Sequence, residues 1–475
     1  MRPGGRRSTG ACRHFRRCPA GKFGLKYFRD RIAGSETLQA LASFSVLMAV
    51  QVGGNLATLA YTLIFVRLLT PEQFGTVSSL WAMSLILVPF AMLNLAPVAI
   101  QAVVKARQQG DDALAAGFFR FARRVVLYSS PVVIALFVLV TWVQDPDLLT
   151  EAPVGIGLMA LGIIGVANIQ IGATIGLSLD RPVISQFPRI LVRPLVVLAI
   201  LTVYWAAGWP LSLNMALLIF PISVLVNLIV QYIVLRTALS FADQHEPRIE
   251  NPGHWISTGF LLLPSRIIGE NLKNILIVSA ALVLSPEQVA VITVALSLIG
   301  PLNFALTAVE MAFSAKLSRA LHAKDRKRTN KFLAIAGGTK IASIVAFAPI
   351  LFFLLEPILG FFGKHYSGAS DITLILLGIP VAKALFGRAD LVLLVHNLRA
   401  RITIMHALTL ALLPASTVLT VLMPEADALR VTSIGFFMAF FLGFAGVWWI
   451  ARRKTGIDTS APGAIVNWLR DRAAG

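Results

Sequence analysis

Charged residues are so sparse in this chain that apolar stretches repeatedly reach the roughly 18 to 20 residues an α-helix needs to cross a bilayer. Twelve segments of this kind are read, near 37–66, 74–103, 122–143, 153–178, 187–208, 211–235, 255–283, 289–315, 332–355, 371–395, 401–422 and 430–451. Their apolar residues run continuously instead of alternating with polar ones, which excludes a membrane β-barrel. Of the 475 residues, 57% are hydrophobic and only 14% charged, whereas a soluble chain is about a quarter charged. A soluble enzyme, a secreted disulfide scaffold and a disordered chain are excluded on the same ground. The expectation is an all-α polytopic membrane protein with about twelve transmembrane helices.

The charge balance sets the orientation. Lys and Arg number 42 against 23 acids, a net +19, and short cytoplasmic loops collect such positives. With an even number of spans and the basic N-terminal tail inside, both termini are cytoplasmic. The outer connections then hold only Arg67, Lys364 and Arg430 as cations, beside Glu72, Asp145, Asp147, Glu151, Glu287, Glu356, Asp371, Glu425 and Asp427. The positive excess therefore reflects topology and attraction to the inner leaflet lipids, not nucleic acid.

In the tail, Cys12, His14 and Cys18 are irregularly spaced and lack a fourth ligand, so no metal site is read there. Residues 1–20 lack the apolar core of a cleavable signal, and insertion is expected to start with the first span. Leu25, Phe28 and Ile32 share one helical face among Lys26, Arg29 and Arg31, which suits a helix lying on the inner leaflet.

An internal repeat organises the rest. Leu69-Thr70-Pro71-Glu72-Gln73 follows the first span, and Leu284-Ser285-Pro286-Glu287-Gln288 follows the seventh, 215 residues later. The same offset carries the first six spans onto the last six, so two six-helix bundles are expected to share one orientation about a cleft. The expected divisions are a basic tail with its interfacial helix (1–36), one bundle (37–236), a linker (237–254), a second bundle (255–451) and a C-terminal tail (452–475). Prolines interrupt matching spans: Pro89 with Gly300-Pro301, and Pro131 with Pro349. Paired breaks of this kind point to a site between the repeats, although proline is also common in membrane helices for other reasons.

Ionisable residues deep in a span are costly and normally face a cavity. The seventh segment carries Arg266, Glu270 and Lys273 at i, i+4 and i+7, on one helical face. The tenth carries Lys383, Arg388 and Asp390, and Glu310 lies near the inner end of the eighth. Ion pairing explains Arg266 with Glu270, but it does not readily account for both Lys273 and Lys383. A wet cavity with a cationic wall of Arg266, Lys273, Lys383 and Arg388 accounts for them, and its natural guest is a phosphate or diphosphate. Glu270 and Asp390 are the candidates for binding a coupling H⁺ or Na⁺. The amides Gln51, Asn55, Asn94, Asn168, Gln170, Asn227 and Gln231 are read first as helix-to-helix links and second as sugar contacts. The seven histidines show no HExxH spacing, and no nucleophile elbow or P-loop occurs. No catalytic residue, metal or cofactor is expected.

At Phe65-Val66-Arg67-Leu68-Leu69-Thr70-Pro71-Glu72-Gln73-Phe74-Gly75 the sequence resembles the polysaccharide transporter family. That family contains O-antigen and exopolysaccharide flippases and is similar to lipid II flippases and MATE multidrug exporters. The resemblance rests on Arg67, Pro71, Glu72, Phe74 and Gly75, on the second copy after span 7, and on Phe313-Ser314-Ala315-Lys316-Leu317-Ser318-Arg319 at the end of span 8. Thr70 and Ala290 stand where the family has glycine, and Ala315 where it has proline. The resemblance implies a MATE-like fold in a bacterial cytoplasmic membrane. It further implies flipping of an undecaprenyl-diphosphate-linked oligosaccharide to the outer leaflet, with polysaccharide polymerase or assembly proteins as candidate partners. Rival readings are a cation-coupled exporter of small amphiphiles, a membrane glycan polymerase or glycosyltransferase, and a non-transporting scaffold.

Overall fold

The computed structural model describes residues 36–179, 181–240, 244–418 and 425–473. The tail with Cys12, His14 and Cys18 and the interfacial helix expected around Leu25, Phe28 and Ile32 lie outside the described residues. The chain divides into two compact units, 1–47 and 48–475, and the described part of the first, 36–47, is helical.

Among the described residues there is no strand, and 11 helices are long and apolar enough to cross a membrane. The first half comprises α1 (Glu36–Leu68), α2 (Pro71–Ala91), α3 (Leu95–Gln108), α4 (Asp112–Gln144), α5 (Pro153–Ser178), α6 (Pro182–Phe187), a π-helical turn (Pro188–Val192), α7 (Arg193–Ala207) and α8 (Leu213–Leu239). The second comprises α9 (Pro252–Glu270), α10 (Leu272–Ala281), α11 (Pro286–His322), α12 (Arg326–Phe362), α13 (Ser370–Phe386), α14 (Ala389–Val395), α15 (Arg399–Val418), α16 (Glu425–Thr455) and α17 (Ala461–Ala473).

Both copies of the repeated motif are helix starts with the same chemistry. The Thr70 hydroxyl accepts from the Gln73 backbone N–H, and the Gln73 side chain accepts from the Thr70 N–H. Ser285 and Gln288 do the same at the head of α11. Proline follows each cap at a position whose N–H has no helical partner in any case, and glutamate sits in the positive first turn. The two starts pack against each other. A Cβ on Gly75 would lie 1.7 Å from the Pro286 carbonyl oxygen, so only glycine permits this approach of α2 to the head of α11. Arg67 reinforces the junction by donating from Nε to the Phe361 carbonyl at 2.9 Å.

Within the first half, α5 and α8 are drawn together by small residues. Cβ atoms at Gly162 and Gly165 would fall 2.9 Å from the Phe220 ring and 2.4 Å from Val224. Close backbone approach through glycine replaces the hydrophobic drive that is missing between helices in lipid. The outer faces remain apolar: Tyr128, Val132, Leu139 and Val143 of α4 and Phe352 and Phe353 of α12 are exposed, as a lipid-facing surface requires.

Four of the expected crossings are interrupted, and each interruption has a local cause. After α2, Leu93 and Asn94 take left-handed backbone, φ 44° and 50°, just beyond Pro89, and the Asn94 amide is anchored by donating to the Gly259 carbonyl at 2.9 Å. Between α6 and α7, Pro188 and Pro194 each lack the N–H of a regular ladder and the backbone widens into the π turn. The seventh segment divides at Asn271, φ −118°, so no single helix spans it. The tenth breaks at Gly387, φ 70°, where a Cβ would meet the Thr459 carbonyl oxygen at 1.9 Å. The expected pairing of breaks does not appear: Pro301 lies inside continuous α11, and Pro131 and Pro349 lie inside continuous α4 and α12. The residues after α16 fold back as α17 along α12, where Asn330 donates to Asp471 at 2.8 Å and Gly337 faces Ala461.

Candidate functional site

Lys340, Lys383, Arg388 and Asp390 of the second half gather around one carboxylate. Glu310 lies three turns inside the end of α11. Its Oε1 accepts from the Lys340 ammonium of α12 at 2.7 Å. Its Oε2 faces the Lys383 ammonium of α13 at 3.5 Å and Arg388 Nη1 at 3.9 Å. The break at Gly387 puts Arg388 there: once the helix stops, the side chain turns in, donates from Nη1 to the Ser314 hydroxyl at 2.9 Å and from Nε to Asp390 at 3.1 Å. Three cations and two carboxylates leave one positive charge in excess. Lys340 is 1% exposed, Lys383 27% and Asp390 47%. The cluster therefore grades from a sealed ion pair to an accessible rim.

A second group joins the two halves. Arg266 of α9 donates from Nη2 to Glu270 at 2.9 Å and to the Gln170 side chain of α5 at 3.1 Å. Arg189 of the π turn lies 3.7 Å from the same Glu270 carboxylate and donates from Nε to Gln186. Nearby in sequence, the Arg193 guanidinium covers the Phe220 ring at 5.6 Å. The Arg266 side chain is 10% exposed, and its Nε is buried with no partner among the described residues. Glu270, at the end of α9, is 48% exposed. Lys273 stands apart from both groups: at the head of α10 it donates to the Ser297 hydroxyl of α11 at 2.8 Å, with no carboxylate within ion-pair distance among the described residues.

The helices superpose on those of solved transporters. The fold is that of the MOP-superfamily transporters. An inward-facing MATE multidrug resistance transporter superposes with a TM-score of 0.62 at 12% identity, over 85% of this chain and 94% of that one. The lipid II flippase MurJ in an inward closed conformation gives 0.57 at 12%, over 90% and 91%. A MOP-superfamily transporter from Pyrococcus furiosus, described by the reverse polarity of its binding pocket, gives 0.57 at 12%, over 87% and 94%. No family model and no curated protein matches the sequence.

On this MOP fold the sequence-derived cations occupy three settings. Lys383 and Arg388 meet with Asp390 around Glu310, Arg266 meets Glu270, and Lys273 pairs with a serine. Sequence reasoning passed over Lys340, Arg189 and Arg193, which it counted with the cytoplasmic loop charges. The signal was present, since all three fall inside the expected spans 332–355 and 187–208. Of the amides, Asn94 and Gln231 link helices, the latter by donating to the Ile169 carbonyl at 2.8 Å. Gln170 instead touches the ionic group. The motif residues Arg67, Pro71, Glu72, Phe74 and Gly75 lie at the junction of α2 with α11, remote in sequence and role from the deep charges.

Proposed function

We propose that this chain is a flippase carrying an undecaprenyl-diphosphate-linked oligosaccharide from the cytoplasmic to the outer leaflet by alternating access, for polysaccharide export from a bacterial cytoplasmic membrane. The observation that carries the reading is a cationic excess within the expected spans, on elements of both halves: Arg189 and Arg266 against Glu270, and Lys340, Lys383 and Arg388 against Glu310 and Asp390. Charges in such a place are retained for a guest of opposite sign. Arg266, Lys273, Lys383 and Arg388, in their three settings, are the residues that meet the diphosphate or acidic sugars of the head group. The glycan occupies the cleft between the two bundles (37–236 and 255–451), and the prenyl chain stays in lipid. Glu270 and Asp390, the half-exposed acids, take the coupling H⁺ or Na⁺. The contacts of Gly75 with Pro286 and of Arg67 with the Phe361 carbonyl close the outer end, and rocking of the bundles opens it.

Export of a cationic amphiphile is the second reading, favoured by the likeness to MATE folds. It needs an intramembrane acid free to meet the cargo. Here Glu270, Glu310 and Asp390 are each held by arginine or lysine, which favours the anionic cargo.

Complementation of a bacterium lacking its polysaccharide flippase tests the proposal. Wild type is compared with Arg266→Ala, Lys273→Ala and Lys383→Ala at matched membrane abundance. Restoration of surface glycan by wild type and its loss in the variants supports the cationic site. Equal restoration by all four overturns it.

A further inference from the structure

The carboxylate of Glu310 is bound unequally at its two oxygens. Oε1 is taken by Lys340 at 2.7 Å, in a pair that is almost fully sealed from solvent. Oε2 lies 3.5 Å from Lys383 and 3.9 Å from Arg388. Both distances exceed hydrogen-bond reach, so these two cations feel the carboxylate only as a charge. Lys383 has no hydrogen-bond partner among the described residues. Arg388 is oriented by Ser314 and Asp390 through Nη1 and Nε, which leaves Nη2 unengaged. An ammonium and half a guanidinium are thus fixed beside an anion they do not quite hold, at the accessible side of a cluster with net positive charge.

We propose that Glu310 is a resident counter-ion, positioned by Lys340, whose Oε2 a phosphate-class anion displaces as electrostatic partner of Lys383 and Arg388. The inference rests on the flippase reading and deepens it by adding Glu310 and Lys340 as positioning residues. Lys340 holds Oε1 back in the buried end, so the carboxylate is not free to swing out and form direct bonds to the other two cations. When no cargo is present, Oε2 neutralises Lys383 and Arg388 from a distance and avoids two uncompensated charges in the membrane. When a phosphate oxygen arrives, both cations are already placed to donate, and Arg388 needs no reorientation because Ser314 and Asp390 hold it. Glu310 tempers affinity so that cargo is also released. A phosphate bound between unopposed cations in low dielectric would leave slowly, since affinity is set mainly through the off-rate.

The test uses the full chain, purified and placed in nanodiscs. Binding is measured for undecaprenyl diphosphate, inorganic diphosphate and the uncharged undecaprenol. Wild type is expected to bind the prenyl diphosphate in preference to the alcohol. Binding of inorganic diphosphate assigns recognition to the phosphates alone; its absence assigns a share to the chain. Lys383→Ala and Arg388→Ala weaken binding about tenfold or more. Glu310→Gln tightens it about tenfold, and adding Lys383→Ala to Glu310→Gln abolishes the gain, which a merely structural carboxylate would not produce. Because Glu310→Gln leaves Lys340 buried without a partner, the pair Glu310→Gln with Lys340→Met keeps the interior neutral and is expected to show the same gain. If wild type binds the diphosphate lipid but both Glu310 variants stay within about twofold of it, the counter-ion role is overturned and the flippase reading stands. If wild type binds neither diphosphate, both fall together.

Discussion

At the junction of α2 with α11 the two halves are near duplicates: Thr70-Pro71-Glu72-Gln73 and Ser285-Pro286-Glu287-Gln288 build the same capping box and lean on each other. At membrane depth the halves have parted. By the 215-residue offset of the repeat, Arg266 and Glu270 correspond to Gln51 and Asn55, Lys383 to Asn168, and Glu310 and Lys340 to Leu95 and Val125. Charge in one half stands opposite amides or hydrocarbon in the other. Repeated sequence has been kept where both halves need one backbone geometry, a helix start in a tight turn. It has been lost within the spans, where the two halves carry different side chains at matching positions. The interruptions follow the same division, since α2–α3, the π turn, Asn271 and Gly387 have no partner breaks in continuous α11, α15, α1 and α5. Alternating access by two similar bundles does not require a symmetric site.

The strongest way to break the comparison is at the point of contact. Gly75→Val drives a branched side chain into the Pro286 backbone, and overpacking of this kind costs about 3 kcal/mol. A large fall in the unfolding midpoint in detergent is expected. Ala290→Gly, at the matching position of the second copy, should cost only about 1 kcal/mol. Equal effects at the two positions would mean that contact between the copies is not what glycine serves at 75.

Next in size is the sealed end of the asymmetric region. Lys340→Met removes the only hydrogen-bonded partner of the Glu310 carboxylate among the described residues but leaves Lys383 and Arg388 to compensate in part. About 2 kcal/mol of stability is expected to be lost, less than the 3 to 5 kcal/mol of a wholly orphaned buried charge, as measured by thermal unfolding. A loss below about 0.5 kcal/mol would place the pair among ordinary surface bridges. The caps sharpen the other side of the comparison. Thr70→Ala and Ser285→Ala should each cost about 1 kcal/mol, and equality of the two values is the expected result. A cost at one copy alone would show that the halves have diverged even where their sequences agree.

Much of this architecture is legible in the sequence, for physical reasons. A bilayer demands long uncharged helices, so the spans announce themselves by composition, and a capping box is a local motif complete within five residues. Helix interruptions are less legible. Pro89 ends a helix while Pro301 does not, because Asn94 finds the Gly259 carbonyl across the molecule and Pro301 sits where α11 packs as one rod. The site was half visible. Lys273, Lys383 and Arg266 stand out against apolar neighbours, but Lys340, Arg189 and Arg193 lie near the inner ends of their spans. There a site cation looks the same as the loop cations that fix topology. Only packing separates Lys340, buried beside Glu310, from Lys331, which is exposed two and a half turns earlier on the same helix.

The smallest predicted effect concerns the support behind the asymmetric site. Asp458 lies between α16 and α17. Burial alone would raise its carboxyl, yet hydrogen bonds from the Trp448 indole and from Ser460, with the Arg452 charge nearby, hold it below its ordinary value. A carboxyl with a depressed folded pKa contributes stability that is fully present above its unfolded value, about 4, and lost as pH falls through the folded value. Asp458→Asn should therefore lower the unfolding midpoint slightly near neutral pH, by less than about 1 kcal/mol, and the gap to wild type should close in acid as pH falls through the folded value. A gap that persists in acid would assign the effect to lost packing instead of charge. The consequence reaches the site through the next residue. The Thr459 hydroxyl donates to the Phe386 carbonyl and its own carbonyl lies against Gly387, so loosening this turn relaxes the break that aims Arg388. If Asp458→Asn also weakens diphosphate binding at neutral pH, with Arg266 untouched, the asymmetry of the site extends to what braces it.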